Sequence, residues 1–467
     1  MERLGIVDLG SNTARLVVYH HEPGRWYQVV DEVREPLRLG QGLGSDGALR
    51  EEAIERAVAL MQLFEAYARA NCLDRIEVLG TSAVREARNR DELLSRLRAL
   101  GLQVTVLSGE DEARLGLLAV ANGFVVRDAW VMDLGGGSAQ LSRMKGRRFA
   151  GGRAHPLGAV RLTDRFFTSR PPRASEVAAL EAEVAMHAEP VAESLRAEGL
   201  PLIAMGGTVR NLVRAVQKAQ EYPLRLAQGF FLRREALEDV TVRLLKNKGR
   251  VPGIHPDRED IIHAGALVYR WLVRRADLPG LWVSGHGMRH GAFYRHFLPE
   301  PHLVDDIRRF HVENLLHRHH PPSRTYGVRR LAAQLYDGLA SLHGLGAAER
   351  ELLDAGAAMR DIGKTVNHFR HYRHAAYMVA WADLSGFTHR EQGLLALLTR
   401  YHREGSPKLR EYGDLARPGD KKMLVVLTAC LRLAQAISGL HGGAIRDVDV
   451  RVADDQVEVE VTADHQP

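Results

Sequence analysis

The sequence predicts two α/β lobes facing each other across a cleft, followed by an all-α domain and a small C-terminal β-hairpin. Three observations predict it. One motif occurs twice, Ile6-Val7-Asp8-Leu9-Gly10-Ser11-Asn12-Thr13 and Val131-Met132-Asp133-Leu134-Gly135-Gly136-Gly137-Ser138, each an apolar run, an Asp, a glycine turn and a hydroxyl. Strand and helix signals alternate through the first 298 residues, as in layered α/β folds. At Pro299-Glu300-Pro301 the texture changes, because two prolines this close end a helix and favour an extended connector.

In the first block, strands are expected at Gly5 to Leu9, Leu16 to Tyr19 and Tyr27 to Val33. A helix follows whose apolar positions Ile54, Ala57, Val58, Met61 and Phe64 keep helical spacing. After strands at Ile76 to Leu79 and Val104 to Leu107, Ser108 reads as an N-cap with an acid three residues on, which puts Glu112 in the first turn of a helix. The second block repeats the pattern. It has a strand at Val131 to Leu134, a helix-rich insertion from Ser175 to Glu198, and strands at Leu202 to Met205 and Leu281 to Ser284 that end in Gly206-Gly207-Thr208 and Gly285-His286-Gly287. The expected division is 1–125, 126–298, 299–440 and 441–467. In the third segment helical periodicity dominates and 13 of the 22 histidines lie after residue 300; in the fourth, Val448 to Val452 and Val457 to Val461 alternate as a hairpin around Ala453-Asp454-Asp455-Gln456.

Composition narrows the function classes. At 467 residues the chain is too long for one core. Sixty-four Lys and Arg against 58 Asp and Glu give a charge of +6, compatible with a polyanionic ligand and short of a nucleic-acid tail. Cys72 and Cys430 lie far apart in apolar helical patterns, which fits two thiols in a reducing cytoplasm and no disulfide framework. No apolar leader is read at the N-terminus, and no apolar run is read as approaching the roughly 18 residues of a membrane helix, so neither secretion nor membrane insertion is expected.

The repeated motif carries the chemistry. A strand ending in Asp and a glycine turn delivers backbone N–H groups and a carboxylate to a phosphate, with Ser11, Asn12, Thr13 and Ser138 adding side-chain donors. Asp8 and Asp133 are hard oxygen ligands suited to Mg2+. Two such turns can grip one phosphoryl group from opposite sides.

Together with Gly80-Thr81-Ser82-Ala83-Val84-Arg85-Glu86-Ala87, Ser108-Gly109-Glu110-Asp111-Glu112-Ala113-Arg114, Met205-Gly206-Gly207-Thr208 and Ser284-Gly285-His286-Gly287-Met288-Arg289-His290-Gly291, these motifs make the chain resemble the exopolyphosphatase and guanosine pentaphosphatase family over residues 1 to about 298. The resemblance implies the actin-like fold shared with Hsp70 and sugar kinases. It implies that Glu112 orients and deprotonates the attacking water and that Arg85 faces the transferring phosphoryl group. It further implies that Gly10, Ser11, Asn12, Thr13, Gly135, Gly136, Gly137 and Ser138, helped by Gly207 and Thr208, cradle the terminal phosphate, and that Asp8 and Asp133 hold Mg2+, with Mn2+ as the alternative. Gln140 stands where the family has a metal-binding Glu, and offers one neutral oxygen. His290 stands where the family has an acid.

The C-terminal block resembles the HD-type helical domain of long family members, through Met359-Arg360-Asp361-Ile362-Gly363-Lys364 and Leu398-Thr399-Arg400-Tyr401-His402. Arg360 replaces the His of the His-Asp pair and Gln435 a ligand Asp, so this domain is expected to lack metal chemistry of its own. His368, His371 and His374, at helical spacing, are weighed as a metal site but favoured as interface or phosphate contacts. Of the basic residues between Arg308 and Arg410, weighed as the lining of a channel for a polyanion, most are expected to be ordinary solvated helix faces and a few to point into the cleft. The expectation is a cytoplasmic, homodimeric exopolyphosphatase releasing terminal phosphate from inorganic polyphosphate with Mg2+. Guanosine pentaphosphate is the alternative substrate, and a non-catalytic polyphosphate or alarmone sensor or an actin-like ATPase the alternative class; nucleic acid and membrane are not expected partners.

Overall fold

The computed structural model describes every residue except 42, 44–46, 247–249, 320–324, 440–444, 454–455 and 464–467. It divides into two compact units, Met1–Asp305 and Asp306–Pro467.

The first unit contains two sheets built on one plan. In lobe I, β1 (Glu2–Leu9), β2 (Thr13–Glu22) and β3 (Trp26–Pro36) form an antiparallel meander, and β4 (Arg75–Gly80) and β5 (Val104–Val106) extend it in parallel in the order β3-β2-β1-β4-β5. Helix α1 (Glu51–Ala70) buries Ile54, Ala57, Met61 and Phe64 against this sheet, as their spacing predicts. Two short helices, α2 (Ser82–Glu86) and α3 (Arg90–Ala99), join β4 to β5. In lobe II, β6 (Ala129–Leu134), β7 (Ala139–Lys145) and β8 (Arg148–His155) form the same meander. The parallel strands β9 (Leu202–Met205) and β11 (Gly280–Val283) extend it, and β10 (Phe230–Arg233) closes the edge antiparallel. The two sheets account for the repeated motif: each copy is the first strand and first turn of a meander.

Two helices exchange lobes, which corrects the expected division at residue 125. Helix α4 (Gly109–Gly123) follows lobe I in sequence, yet Leu117, Val120 and Ala121 share a core with Val131, Met144, Ile203 and Met205 of the lobe II sheet. The last helix of the unit packs on lobe I: Phe293 stacks on Tyr19 at 4.1 Å between ring centroids, and the hydroxyls of Tyr294 and Tyr27 lie 3.1 Å apart. This helix, Met288–Phe297, crosses α4 so closely that a Cβ on Gly291 would sit 1.8 Å from the Leu115 carbonyl oxygen. Between these exchanges lobe II carries α5 (Ala159–Phe166), α6 (Ala174–Glu198), α7 (Gly207–Ala219), α8 (Arg234–Lys246) and α9 (Ile262–Arg275), and the crossing helix is α10. The unit also runs past Pro299, to Asp305, because Asn122 bonds the His302 carbonyl and the Val304 amide, and Arg147 bonds the Val304 carbonyl.

The second unit holds α11 (Ile307–His319), α12 (Thr325–Gly338), α13 (Ala340–His343), α14 (Ala347–Met359), α15 (His371–Trp381), α16 (His389–Tyr401) and α17 (Asp420–Gly439). The expected hairpin, β12 (Ile445–Ala453) with β13 (Gln456–Ala463), lies on α12, where Gln334 bonds both Asp447 and the Val448 amide; Asp454 and Asp455 of its turn lie outside the described residues, as does the expected boundary at 440–441. Helix α17 corrects one sequence expectation. It is long and apolar enough, by length and composition, to cross a membrane, but Leu424, Leu427, Leu431 and Ala434 are buried in the unit as a core face. Arg308 and Arg329, two of the basic residues weighed for a channel, are engaged in ion pairs with Glu351, Glu391, Glu313 and Asp354.

Candidate active site

The two glycine turns face one another. In the first, Gly10 N–H bonds the Thr13 carbonyl at 3.2 Å; in the second, Gly135 N–H bonds the Ser138 carbonyl at 2.9 Å. Each turn has its carbonyls occupied from behind: Leu37 and Arg38 donate to Asn12 and Gly40 to Ser11, while Ala159 donates to Gly135 and Val160 and Arg161 to Gly136. The N–H groups of Ser11, Asn12 and Gly136 are not used in these bonds, so they remain as donors for an anion. Only glycine allows the turns to come together, since a Cβ on Gly136 would lie 3.2 Å from the Ser11 Cβ and one on Gly137 would lie 2.3 Å from the Ser82 Oγ. Ser11 and Ser82 are themselves hydrogen-bonded at 2.9 Å.

Glu112 enters this space from the first turn of α4. The helix starts with the predicted cap, now a full capping box in which Ser108 and Asp111 bond each other's backbone N–H; such a cap is worth about 1 kcal/mol and fixes the direction of the first turn. Glu112 is 7% exposed. Burial pushes its carboxyl up to about 7; the Arg85 guanidinium opposes the rise, and the charges of Asp133 and Asp8 add to it. Its Oε2 receives Arg85 Nη1 at 3.0 Å and Gln140 Nε2 at 2.8 Å. Oε1 takes no hydrogen bond from the described residues, which leaves it to accept one from water.

The carboxylates at the two strand ends differ in their partners. Asp8 is held by Arg289 of α10, Oδ2 to Nη1 2.7 Å. Asp133 has no such pair among the described residues; burial raises it to about 6, Arg210 opposes this and Asp8 adds to it. A carboxylate whose proton affinity is raised by burial and by a neighbouring acid fits a divalent cation, which would relieve it.

Asp8, Glu112 and Asp133 share a polar cavity of about 130 Å3 with Gly10 to Thr13, Gly135, Gly136, Ser138, Gln140 and Gly207. Three predicted residues are not on its wall. Arg85 reaches Glu112 and the Leu107 carbonyl instead of facing the cavity. Gly137 lies at the contact between the turns. Thr208 is fully buried and packs where a side chain on Gly265 of α9 would go, so its hydroxyl turns away from the cavity. Gln140 is on the wall, and its amide nitrogen donates to Glu112 and to Ser138 Oγ, both at 2.8 Å, which makes it a positioning group for the acid.

Four arginines missed by the sequence reading complete the wall: Arg15, Arg210, Arg258 and Arg289. Signals for three were present, since Arg15 follows the first turn, Arg210 the Gly206-Gly207-Thr208 turn and Arg289 the Gly285-His286-Gly287 turn. Arg210 is fixed by the Gly285 carbonyl at 2.8 Å, and Arg258 lies over Gly207, where a Cβ would be 2.6 Å from its guanidinium. Burial, joined by repulsion from neighbouring arginines, weakens the proton hold of Arg15, Arg210 and Arg258. Guanidiniums crowded in this way lack enough protein anions and suit an oligoanionic ligand.

The model of the Ppx/GppA phosphatase family matches residues 17–300, and that of Ppx/GppA phosphatase domain III matches residues 307–466. Among solved structures, an exopolyphosphatase from Cytophaga hutchinsonii is 21% identical, with a TM-score of 0.59, over 63% of this chain and 98% of its own. A Ppx/GppA family member from Aquifex aeolicus is 25% identical, with a TM-score of 0.53, over 62% of this chain and 96% of its own. The first likeness shows the fold, two lobes built on one plan around one cleft.

Proposed function

The chain belongs to the Ppx/GppA phosphatase family, and from that premise we propose that it is an exopolyphosphatase that removes the terminal phosphate of inorganic polyphosphate. The observation that carries the reading is Glu112, a buried carboxyl raised to about 7 with one oxygen free, set beside two amide-rich turns and four arginines. A base is most effective when its proton affinity lies near the working pH.

In the proposed reaction, a water held at Glu112 Oε1 attacks the terminal phosphorus as its proton passes to the carboxylate. The bond from that phosphorus to the bridging oxygen breaks, and the shortened chain leaves as an anion. The amides of Ser11, Asn12 and Gly136 and the guanidiniums of Arg210 and Arg289 meet the charge on the equatorial oxygens. Asp8 and Asp133 would hold a divalent cation, Mg2+ in this reading, which supplies further charge neutralisation at the phosphoryl oxygens.

Polyphosphate is favoured over guanosine pentaphosphate because no aromatic side chain is among the described residues that line the cavity, so a base finds no stacking surface there. Phosphate release from long-chain polyphosphate, guanosine pentaphosphate and ATP, each with Mg2+ and with Mn2+, tests the reading. Polyphosphate is expected to give the highest kcat/KM; about tenfold or greater preference for either nucleotide would overturn it.

A further inference from the structure

The second unit holds a cluster that the proposed chemistry does not use. We propose that Asp361, His371 and His402 form a binding site for a single divalent transition metal of the zinc class. One ligand atom from each lies within 4.8 Å of the others. The His371 Nε2 and Asp361 Oδ1 atoms are 3.2 Å apart, close to the separation of about 3.3 Å between neighbouring ligands at tetrahedral bonds of 2.0–2.1 Å. His371 and His402 are each 1% exposed and Asp361 is 6% exposed.

The hydrogen bonds assign the tautomers. His371 Nδ1 lies 3.0 Å from the His368 carbonyl and His402 Nδ1 lies 2.7 Å from the Thr399 carbonyl. A carbonyl only accepts, so each Nδ1 carries the proton, and in the neutral ring each Nε2 presents a lone pair. Both Nε2 atoms are buried without a hydrogen-bond partner. Two imidazole lone pairs and a carboxylate oxygen therefore converge in a dry place and repel one another. One proton between His371 and Asp361 would satisfy that pair and leave His402 orphaned, whereas one metal ion satisfies all three. An Nδ1–H anchored on a carbonyl is also how the rings of metal-bound histidines are oriented.

The backbone brings the ligands together from separate segments. Asp361 precedes a short 3-10 turn, Ile362–Thr365, His371 opens α15, and His402 follows α16. Gly363 makes the first junction possible, since a Cβ there would lie 2.1 Å from the His371 carbonyl oxygen. His368 and His374 are not members of the cluster, so the helical spacing of the three histidines is not what builds it.

The donor set selects the metal. Two imidazoles and one carboxylate suit Zn2+, Co2+ or Ni2+ and are poor for Mg2+ or Ca2+, which take oxygen. Three protein ligands leave a tetrahedral position for water. Lys364 Nζ, 2.9 Å from Asp361 Oδ1, and Arg360 Nη2, 3.3 Å from Oδ2, keep the carboxylate ionised but oppose a second cation. Lys364 is thus a brake on affinity. A metal at this cluster replaces the expectation that this region lacks metal chemistry.

The test uses the full chain, stripped with a chelator and titrated with Zn2+ and Co2+ under excess Mg2+. The unaltered protein should bind one zinc that His402→Gln loses, with at least about 100-fold weaker affinity. Lys364→Gln, which removes a neighbouring like charge, should tighten binding by about tenfold. X-ray absorption at the zinc edge of the unaltered protein should count two imidazoles. No histidine is among the described residues that line the cleft cavity, so that count reports on this cluster even if His402→Gln does not fold. Equal zinc content in the two proteins, or fewer than two imidazoles on the bound zinc, would overturn the proposal.

Discussion

The first and second glycine turns share a backbone and differ in their electrostatics. In the meander of lobe I, Asp8 stands opposite Arg15 across the strand pair and is also gripped by Arg289; in lobe II, the matching Asp133 stands opposite the neutral Gln140. One acid arrives neutralised. The other is left in a buried place with its proton affinity raised to about 6. One fold element used twice therefore yields an anchored half and an unfinished half, and the unfinished half is the one in contact with Glu112 through Gln140.

The largest expected effect tests the acid that the second turn positions. Glu112→Gln should lower phosphate release by about 10²- to 10⁴-fold while keeping polyphosphate affinity, read by single-turnover kinetics and equilibrium binding. Near-normal turnover would remove Glu112 from the mechanism. Next, Asp133→Asn should weaken activation by divalent cation by about 10- to 100-fold, and Asp8→Asn by less, because Arg289 already balances Asp8. Equal effects in metal titrations of the two variants would erase the asymmetry.

Packing behind the second turn sets the third expectation. Gly158→Ala would place a Cβ 2.2 Å from the Gly137 carbonyl carbon, so the backbone must move, costing about 1–3 kcal/mol in urea unfolding. Gly40→Ala, behind the first turn, meets the Ser11 Cβ at 2.8 Å and should cost less. The smallest effect is on pH. A base must be ionised, so kcat/KM should rise with pH up to about 7 and then level off. Arg85 lowers the proton affinity of Glu112, so Arg85→Ala should move that limb to higher pH, and an unmoved limb would separate the two residues.

Local signals made much of the lobes legible. Strand ends at Leu9, Leu134 and Met205 and the Ser108 cap were readable because each depends on neighbours within a few residues. The second meander was foreseen only as a repeat, and β8 and β10 were not read, because short edge strands with mixed faces carry weak periodicity. The site was half legible. Its turns and acids sit in contiguous motifs, whereas Arg289 and Asp8 meet across 281 positions and no spacing rule joins them. The same holds for Asp361, His371 and His402, which the reading took as separate motifs. From its neighbours in sequence Glu112 is only a first-turn acid at a helix start; the exchange of α4 between lobes is what buries it.

That exchange has a mechanical consequence. Since α4 leaves lobe I to seat on lobe II, and α10 returns the other way, the lobes are clasped by two crossed rods touching at Leu115 and Gly291. This crossing is the natural fulcrum for any swivel of one lobe against the other. Glu112 and Arg289 ride on the rods a single helical turn or less from the crossing point, so a swivel about that point would displace them less than residues farther out along either helix.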